Sequence, residues 1–229
     1  MYESLKQRVY EANLDLQRQG LVVLTWGNVS AIDRDKGIVA IKPSGVRYED
    51  LSPESIVLVD LEGRVVAGTL KPSSDTATHV ELYRRFARVG GVCHTHSMYA
   101  TMWSQAQRPI PCFGTTHADS FYGPVPVTDV MTDAEVADRY EENTGKVIVR
   151  RFAGLDPLQI PAVLVANHGP FTWGPSPEKA VENAVVLEQV AKMAFGTILI
   201  DSRQQGIGQA LLDRHYLRKH GKGAYYGQG

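Results

Sequence analysis

Leu5, Val9, Ala12 and Leu16 recur at helical spacing, and Gly20 suits the stop that follows, so an amphipathic helix opens the chain. Leu21 to Trp26 is largely apolar and reads as a buried strand, closed by a Gly27-Asn28 turn. Ile38 to Ile41 predicts another strand, ending at Lys42-Pro43-Ser44-Gly45, and Ile56 to Asp60 with Arg64 to Ala67 predicts a hairpin across Leu61-Glu62-Gly63. Pro72 stops the preceding strand, and Ser73-Ser74-Asp75 opens a helix reaching about Arg88. Gly90 to Cys93 follows as a short buried strand, then Ser97 to Gln105 as a short helix. Thr132-Asp133-Ala134-Glu135 has the capping-box form and starts a helix reaching about Glu142. Ala162 to Ala166 is an apolar strand ending at Asn167-His168-Gly169-Pro170. Ser176-Pro177 caps the longest helix, with Ala180, Ala184, Leu187, Ala191 and Ala194 along one stripe, and Gln209 to His220 forms a last helix stopped by Gly221. Strands, hairpins and helices interleave without repeats or low-complexity stretches. The pattern predicts a single three-layer α/β/α domain over 1–229 with a central mixed, mostly antiparallel sheet.

Composition narrows the class. The 229 residues are 43% hydrophobic and 21% charged, and 24 basic residues nearly balance 25 acidic ones. That balance argues against nucleic acid as the main partner but leaves room for a small phosphorylated ligand. Two cysteines, Cys93 and Cys112, are too few for a disulfide framework and are expected in the core. The first residues lack a basic-then-apolar signal pattern and no uninterrupted apolar run reaches membrane-span length, so a reduced, cytoplasmic protein without a membrane partner is expected.

The candidate chemistry centres on His94-Thr95-His96. Side chains on a strand alternate, so the two imidazoles share a face at the end of the 90–93 strand and can reach one metal ion. Asp75, at a helix start, and His168, at a strand end, are the candidate partners; the plain alternatives are an N-cap and a turn histidine. A carboxylate with three imidazoles suits Zn²⁺ and tolerates Mn²⁺ or Co²⁺. Gly27-Asn28, Lys42-Pro43-Ser44-Gly45 and Ser73-Ser74 each offer donors to an anion, although turns contain the same residues. Asp119 is either an acid/base group or a solvated loop carboxylate, and Tyr225-Tyr226 either packs on a neighbouring subunit or supplies an acid. His79, one turn after Asp75, is either a support for it or a surface histidine; His117 has no derivable role.

Together these segments resemble the L-ribulose-5-phosphate 4-epimerase family of the class II, zinc-dependent sugar-phosphate aldolase superfamily. The resemblance spans nearly the whole chain. It rests on Leu-Thr-Trp-Gly-Asn-Val-Ser (24–30), Ile-Lys-Pro-Ser-Gly-Val (41–46), Lys-Pro-Ser-Ser-Asp-Thr (71–76), His-Thr-His-Ser (94–97), Gly-Thr-Thr-His-Ala-Asp (114–119), His-Gly-Pro-Phe (168–171) and the segment from His215 through Tyr225-Tyr226-Gly227-Gln228. It implies that Asp75, His94, His96 and His168 ligate the metal. It also implies that Asn28, Lys42, Ser44, Gly45, Ser73 and Ser74 hold the substrate phosphate, with Thr115, Glu141 and His215 in support. Asp119 and Tyr226 would be the acid/base pair, Tyr226 reaching in from a neighbouring subunit through a tail at about 221–229 of a C4 homotetramer.

The reaction so implied converts L-ribulose 5-phosphate to D-xylulose 5-phosphate. C4 carries no acidic proton, so inversion would proceed by breaking and re-forming C3–C4, with the metal as Lewis acid. Fuculose-phosphate-type aldolases typically carry Ser-Ser-Glu where this chain has Ser73-Ser74-Asp75, which favours the epimerase branch. The rivals are an aldolase that releases its products from a related ketose phosphate, and a non-catalytic domain resembling the adducin head. Arabinose and ascorbate breakdown would both use the same epimerisation.

Overall fold

The computed structural model describes residues 2–226. Among them, α1 (Glu3–Arg18) is followed by strands β1 (Asn28–Asp33), β2 (Ile38–Ile41), β3 (Val57–Asp60) and β4 (Val65–Ala67). Then come α2 (Thr76–Arg85), β5 (Gly91–His94), α3 (Met98–Gln105), α4 (Thr115–Ala118), α5 (Asp133–Ala137) and α6 (Tyr140–Arg151). β6 (Ala162–Leu164), β7 (Pro170–Gly174), α7 (Pro177–Ile200) and α8 (Gln209–His220) complete the order. The seven strands form one sheet, ordered β4-β3-β2-β1-β5-β7-β6, in which each strand pair is antiparallel. The parallel element is confined to an isolated bridge between Val127 and Leu164.

Alternation along the strands builds the three layers. Val39, Val57, Val59, Val92, Phe171 and Trp173 pack with α2 and α6 residues such as Tyr83 and Ile148 on one face. Their sequence neighbours Ala40, Leu58 and Cys93 face the other way, with Val29 and Ala31, against α1 and α7. Each large apolar side chain buried in this way contributes about 1.5–3 kcal/mol. On the second face α7 runs flush beneath β5. A Cβ on Gly91 would drive into the backbone of Ser176 and Pro177. Gly91→Ala is therefore expected to cost about 3 kcal/mol, read as a shift in the denaturant midpoint.

Several expectations change. Leu21 to Trp26 is not a strand: Leu21 is buried beside Leu16 and Val29, but Leu24 adopts φ +56° and Val23, Leu24 and Trp26 are exposed, so the run leaves the core after its first two residues. The strand begins instead at Asn28, where a turn was expected. Phe171 to Gly174, unassigned in sequence, forms β7 in the sheet interior. The single helix expected over about 132–142 is two, divided at Arg139 with φ +48°. Thr115 to Ala118, expected as loop, is one helical turn. Finally, α7 contains an 18-residue window of mean hydropathy 1.3, so among the described residues one helix meets the length and composition of a membrane span. Here one side of α7 packs into the core on β5, β7 and α3.

Candidate active site

β1 and β5 pair so that Asn28 lies opposite His94, at the edge of the sheet face that α2 covers. His94 ends β5, and its Nδ1 donates to the Pro170 carbonyl at 2.9 Å. That bond leaves the Nε2 lone pair free, which is the tautomer a metal ligand needs. His96 lies beyond the strand rather than in it, yet its Nε2 is 3.0 Å from His94 Nε2. His168 arrives from the β6–β7 turn, where Asn167 takes φ +62°. Gly169 allows this turn to close on the pair: a Cβ there would lie 2.8 Å from the Thr95 carbonyl and 3.4 Å from His96 Cδ2. One nitrogen from each of the three imidazoles falls within 4.8 Å of the others.

Asp75 occupies the N-cap position of α2, but its side chain makes no cap bond. The carboxylate instead accepts from Asn28 Nδ2 at 2.6 Å and lines the same cavity as the imidazoles. Burial alone would push Asp75 up, but the His94 and His79 imidazoles and the Asn28 amide hold it below the usual carboxylate range. Burial, with the neighbouring rings, pushes His168 down to about 4 and lowers His96 as well. Neutral His96 and His168, the free Nε2 of His94 and an ionised carboxylate in the same cavity are donor types that a borderline divalent cation takes. The three nitrogens already converge, so the residues fit a metal.

The cavity measures about 410 Å³, and Asn28, Lys42, Ser44, Gly45, Ser73 and Ser74 line its other side. Lys42 is almost fully buried; its Nζ donates to the Val46 carbonyl at 2.7 Å and the Thr25 carbonyl at 3.4 Å. Burial pushes Lys42 down to about 8, and an anion beside it would favour the charged form. The structure thus brings the ten residues of the expected metal and phosphate sets to one pocket. Glu141 joins them from the first turn of α6.

It does not bring Asp119, Thr115, His215 and Tyr226 there. These lie on or beside α4 and α8 and line none of that cavity. Asp119 accepts from His215 Nδ1 at 3.0 Å and from Arg218 at 2.8 Å, with Lys219 at 3.5 Å. Partial burial opposes ionisation, but Arg218 and His215 outweigh it and hold Asp119 below its ordinary range. The Tyr226 ring lies over Arg218 at 4.6 Å and Lys219 at 4.7 Å, and is 57% exposed. The remainder of the tail, residues 227–229, lies outside the described residues.

Sequence reasoning missed Tyr140, whose hydroxyl is 3.4 Å from His168 Nδ1. Its signal was weak because the helix break at Arg139 that turns it into the pocket involves neither Gly nor Pro. His117 proves structural, buried with Nε2 2.9 Å from the Gly123 carbonyl.

The buried imidazoles have a measurable consequence. Burial pushes His79 down to about 3, and His117 and His168 to about 4. The unfolded chain takes up protons below about pH 6.5 while the folded one does not, so the unfolded state binds more protons. Stability of metal-free protein is full above about pH 6.5 and falls as pH drops toward 4. Thermal midpoints in chelator between about pH 7 and pH 5 should decline steadily; a flat profile would contradict the buried neutral imidazoles.

The sequence profile of the Class II Aldolase and Adducin N-terminal domain family matches residues 7–195. Among solved structures, an L-fuculose 1-phosphate aldolase superposes with a TM-score of 0.80 at 24% identity, covering 95% of this chain and 96% of that one. YgbL from Klebsiella pneumoniae, described as an aldolase/epimerase/decarboxylase without a settled choice, is 27% identical with a TM-score of 0.74, covering 93% and 99%. An L-fuculose-1-phosphate aldolase from Thermus thermophilus is 26% identical with a TM-score of 0.66, covering 89% and 98%. The shared fold and the three-imidazole cluster support metal-dependent aldolase- or epimerase-like chemistry on a sugar phosphate. With the profile spanning most of its length, the chain belongs to the class II aldolase and adducin N-terminal domain family.

Proposed function

We propose that this chain is a metal-dependent epimerase acting at C4 of L-ribulose 5-phosphate. The observation that carries this reading is one cavity that holds the converging His94, His96 and His168 nitrogens, the Asp75 carboxylate and three phosphate-suited segments. That pairing matches a substrate with an anionic end and a carbon–carbon bond to be cleaved near a cation. Three convergent imidazoles with Asp75 in the same cavity also weigh against a non-catalytic, adducin-like role.

Zn²⁺ suits the donors, with Mn²⁺ or Co²⁺ as substitutes, and when bound it supplies a Lewis acid that stabilises negative charge developing on the substrate oxygens. The chain's own residues do the rest. Asn28, Lys42, Ser44, Gly45, Ser73 and Ser74 hold the phosphate. A base removes the C4 hydroxyl proton, C3–C4 breaks, and the enediolate of dihydroxyacetone and glycolaldehyde phosphate form. The phosphate grip retains the aldehyde while it turns about C4–C5, and re-addition to its other face inverts C4. Loss and return of the proton on opposite faces require two groups, which we assign to Asp119 and Tyr226.

Because those two residues lie off the pocket within a protomer, this reading needs a neighbouring subunit to supply at least Tyr226, as in a homotetramer with interfacial sites. Met98, Met102, Met193, Phe195, Leu199 and Ile200 form exposed apolar surface on α3 and α7 that such an assembly would cover. Free, buried Cys93 and Cys112 fit a reducing, cytoplasmic setting.

A second reading, an aldolase that releases both fragments, draws on the likeness to aldolase structures such as that from Thermus thermophilus. Asp75 weighs against it, since aldolases of the fuculose type typically carry the longer Glu. Incubation with L-ribulose 5-phosphate, with the products separated, decides between them. Epimerisation without free aldehyde phosphate supports the first reading, and stoichiometric aldehyde release from this or a related ketose phosphate establishes the second.

A further inference from the structure

Beneath the imidazole cluster runs a polar chain that the proposed chemistry leaves unused. The Tyr83 and Ser30 hydroxyls lie 2.7 Å apart, and Ser30 Oγ is 2.7 Å from His79 Nδ1. His79 is completely buried rather than at the surface, one turn along α2 from Asp75. Its Nε2 has no partner. Another buried polar atom without one is Asn28 Oδ1, although the Nδ2 of the same amide donates to Asp75 Oδ2 at 2.6 Å and Ser73 Oγ at 3.1 Å.

These two orphans are complementary. An ionised carboxylate only accepts, so Asp75 obliges Asn28 to turn Nδ2 toward it and leaves Oδ1 in need of a donor. If Tyr83 donates to Ser30 and Ser30 in turn to Nδ1, the ring proton of His79 sits on Nε2, where it can be given to a further acceptor. Asn28 and Ser30 are two residues apart on β1, so they share a face with their side chains about 6–7 Å apart. One water between donor and acceptor spans about 5.5–6 Å, and buried polar groups are seldom left unpaired. Phe171 joins the two sites as well: its ring meets the His79 ring edge-on at 5.9 Å and stacks on His94 at 4.1 Å.

We propose that His79 is a positioning residue of the metal centre, its Nε2–H acting through one buried water to hold the Asn28 amide in the orientation that fixes Asp75 beside the three imidazoles. This rests on the metal reading given above. Fully buried, with Nδ1 already against the Ser30 hydroxyl, the ring has Nε2 as the one atom it can offer to a further partner. Outer partners of this kind typically change metal affinity by about 10–100-fold.

The test titrates Co²⁺ into metal-stripped protein, reading affinity by chelator competition and ligand field from the visible spectrum. Glutamine places its amide nitrogen near the ring Nε2 and asparagine near Nδ1, so the two substitutions separate the roles. His79→Gln should bind Co²⁺ within about threefold of wild type, well inside the loss expected when an outer partner is removed. His79→Asn, which keeps the Ser30 contact and loses the Asn28 one, should bind about 10–100-fold more weakly with an altered spectrum while still unfolding cooperatively without metal. A folded His79→Asn that binds like wild type overturns the proposal, as does His79→Gln binding as weakly as His79→Asn. Failure of wild type to bind Co²⁺ would instead overturn the metal reading itself. Should neither variant fold, imidazole ¹⁵N resonances of the wild-type protein decide: Nε2–H on His79 is expected, and Nδ1–H would refute it.

Discussion

Tyr226→Phe should lower turnover of a pentulose 5-phosphate by about 10²–10⁴-fold while metal content stays at the wild-type level, the range lost when one acid/base group is removed. Tyr226 stacks on Arg218 and Lys219 and lines no part of the imidazole pocket, so deleting its hydroxyl leaves the donor set and the core untouched. The loss would fall on turnover rather than on substrate affinity, because the phosphate segments belong to β1, the loop after β2 and the approach to α2. Near-wild-type turnover would remove Tyr226 from the mechanism. The same variant also tests the interface. Co-refolding Tyr226→Phe with a metal-site variant should restore part of the activity, since mixed oligomers would contain some sites with both intact halves; no recovery would place each site within one chain.

His96→Asn is that metal-site variant, and it should lose metal and activity together. His96 Nε2 is 3.0 Å from His94 Nε2, and the shorter amide of asparagine does not reach the point where the three rings meet. His96 is exposed and lies beyond the end of β5, so the substitution removes a ligand without opening a cavity. Metal analysis after dialysis should show clearly substoichiometric zinc, with an unchanged unfolding profile for the metal-free protein. A fully metallated, active His96→Asn would refute the ligand assignment.

The candidate site was legible in sequence where chemistry and local geometry coincide. His94-Thr95-His96 stands out because alternation puts two imidazoles on one side of a strand end, although unrelated folds carry the same tripeptide, and the phosphate-suited turns are written in Gly, Ser, Asn and Lys. Asp75 was legible as a helix start and as a candidate partner of the histidines, but sequence alone does not choose between cap and ligand. From sequence its position is that of an N-cap, and only the Asn28 amide across on β1 shows that the carboxylate turns into the pocket. Tyr140 was not legible, since the left-handed turn at Arg139 that aims it has no Gly or Pro to mark it. The same limit applies to the fold. Leu21 to Trp26 has the composition of a core strand yet stays largely exposed. β7 passed unnoticed because Pro170 and Gly174 bracket it and its apolar run is short. The start and buried stripe of α7 were legible because many residues set them at once, and the bounds of α8 because Gly208 and Gly221 flank it.

The most direct test is turnover of L-ribulose 5-phosphate to D-xylulose 5-phosphate by the purified protein before chelation, after it, and with zinc restored. Epimerisation that disappears with the metal and returns with it, without accumulation of glycolaldehyde phosphate, is the expected result. Epimerisation that persists in fully metal-free protein, or no reaction in protein carrying stoichiometric zinc, would contradict the proposed function.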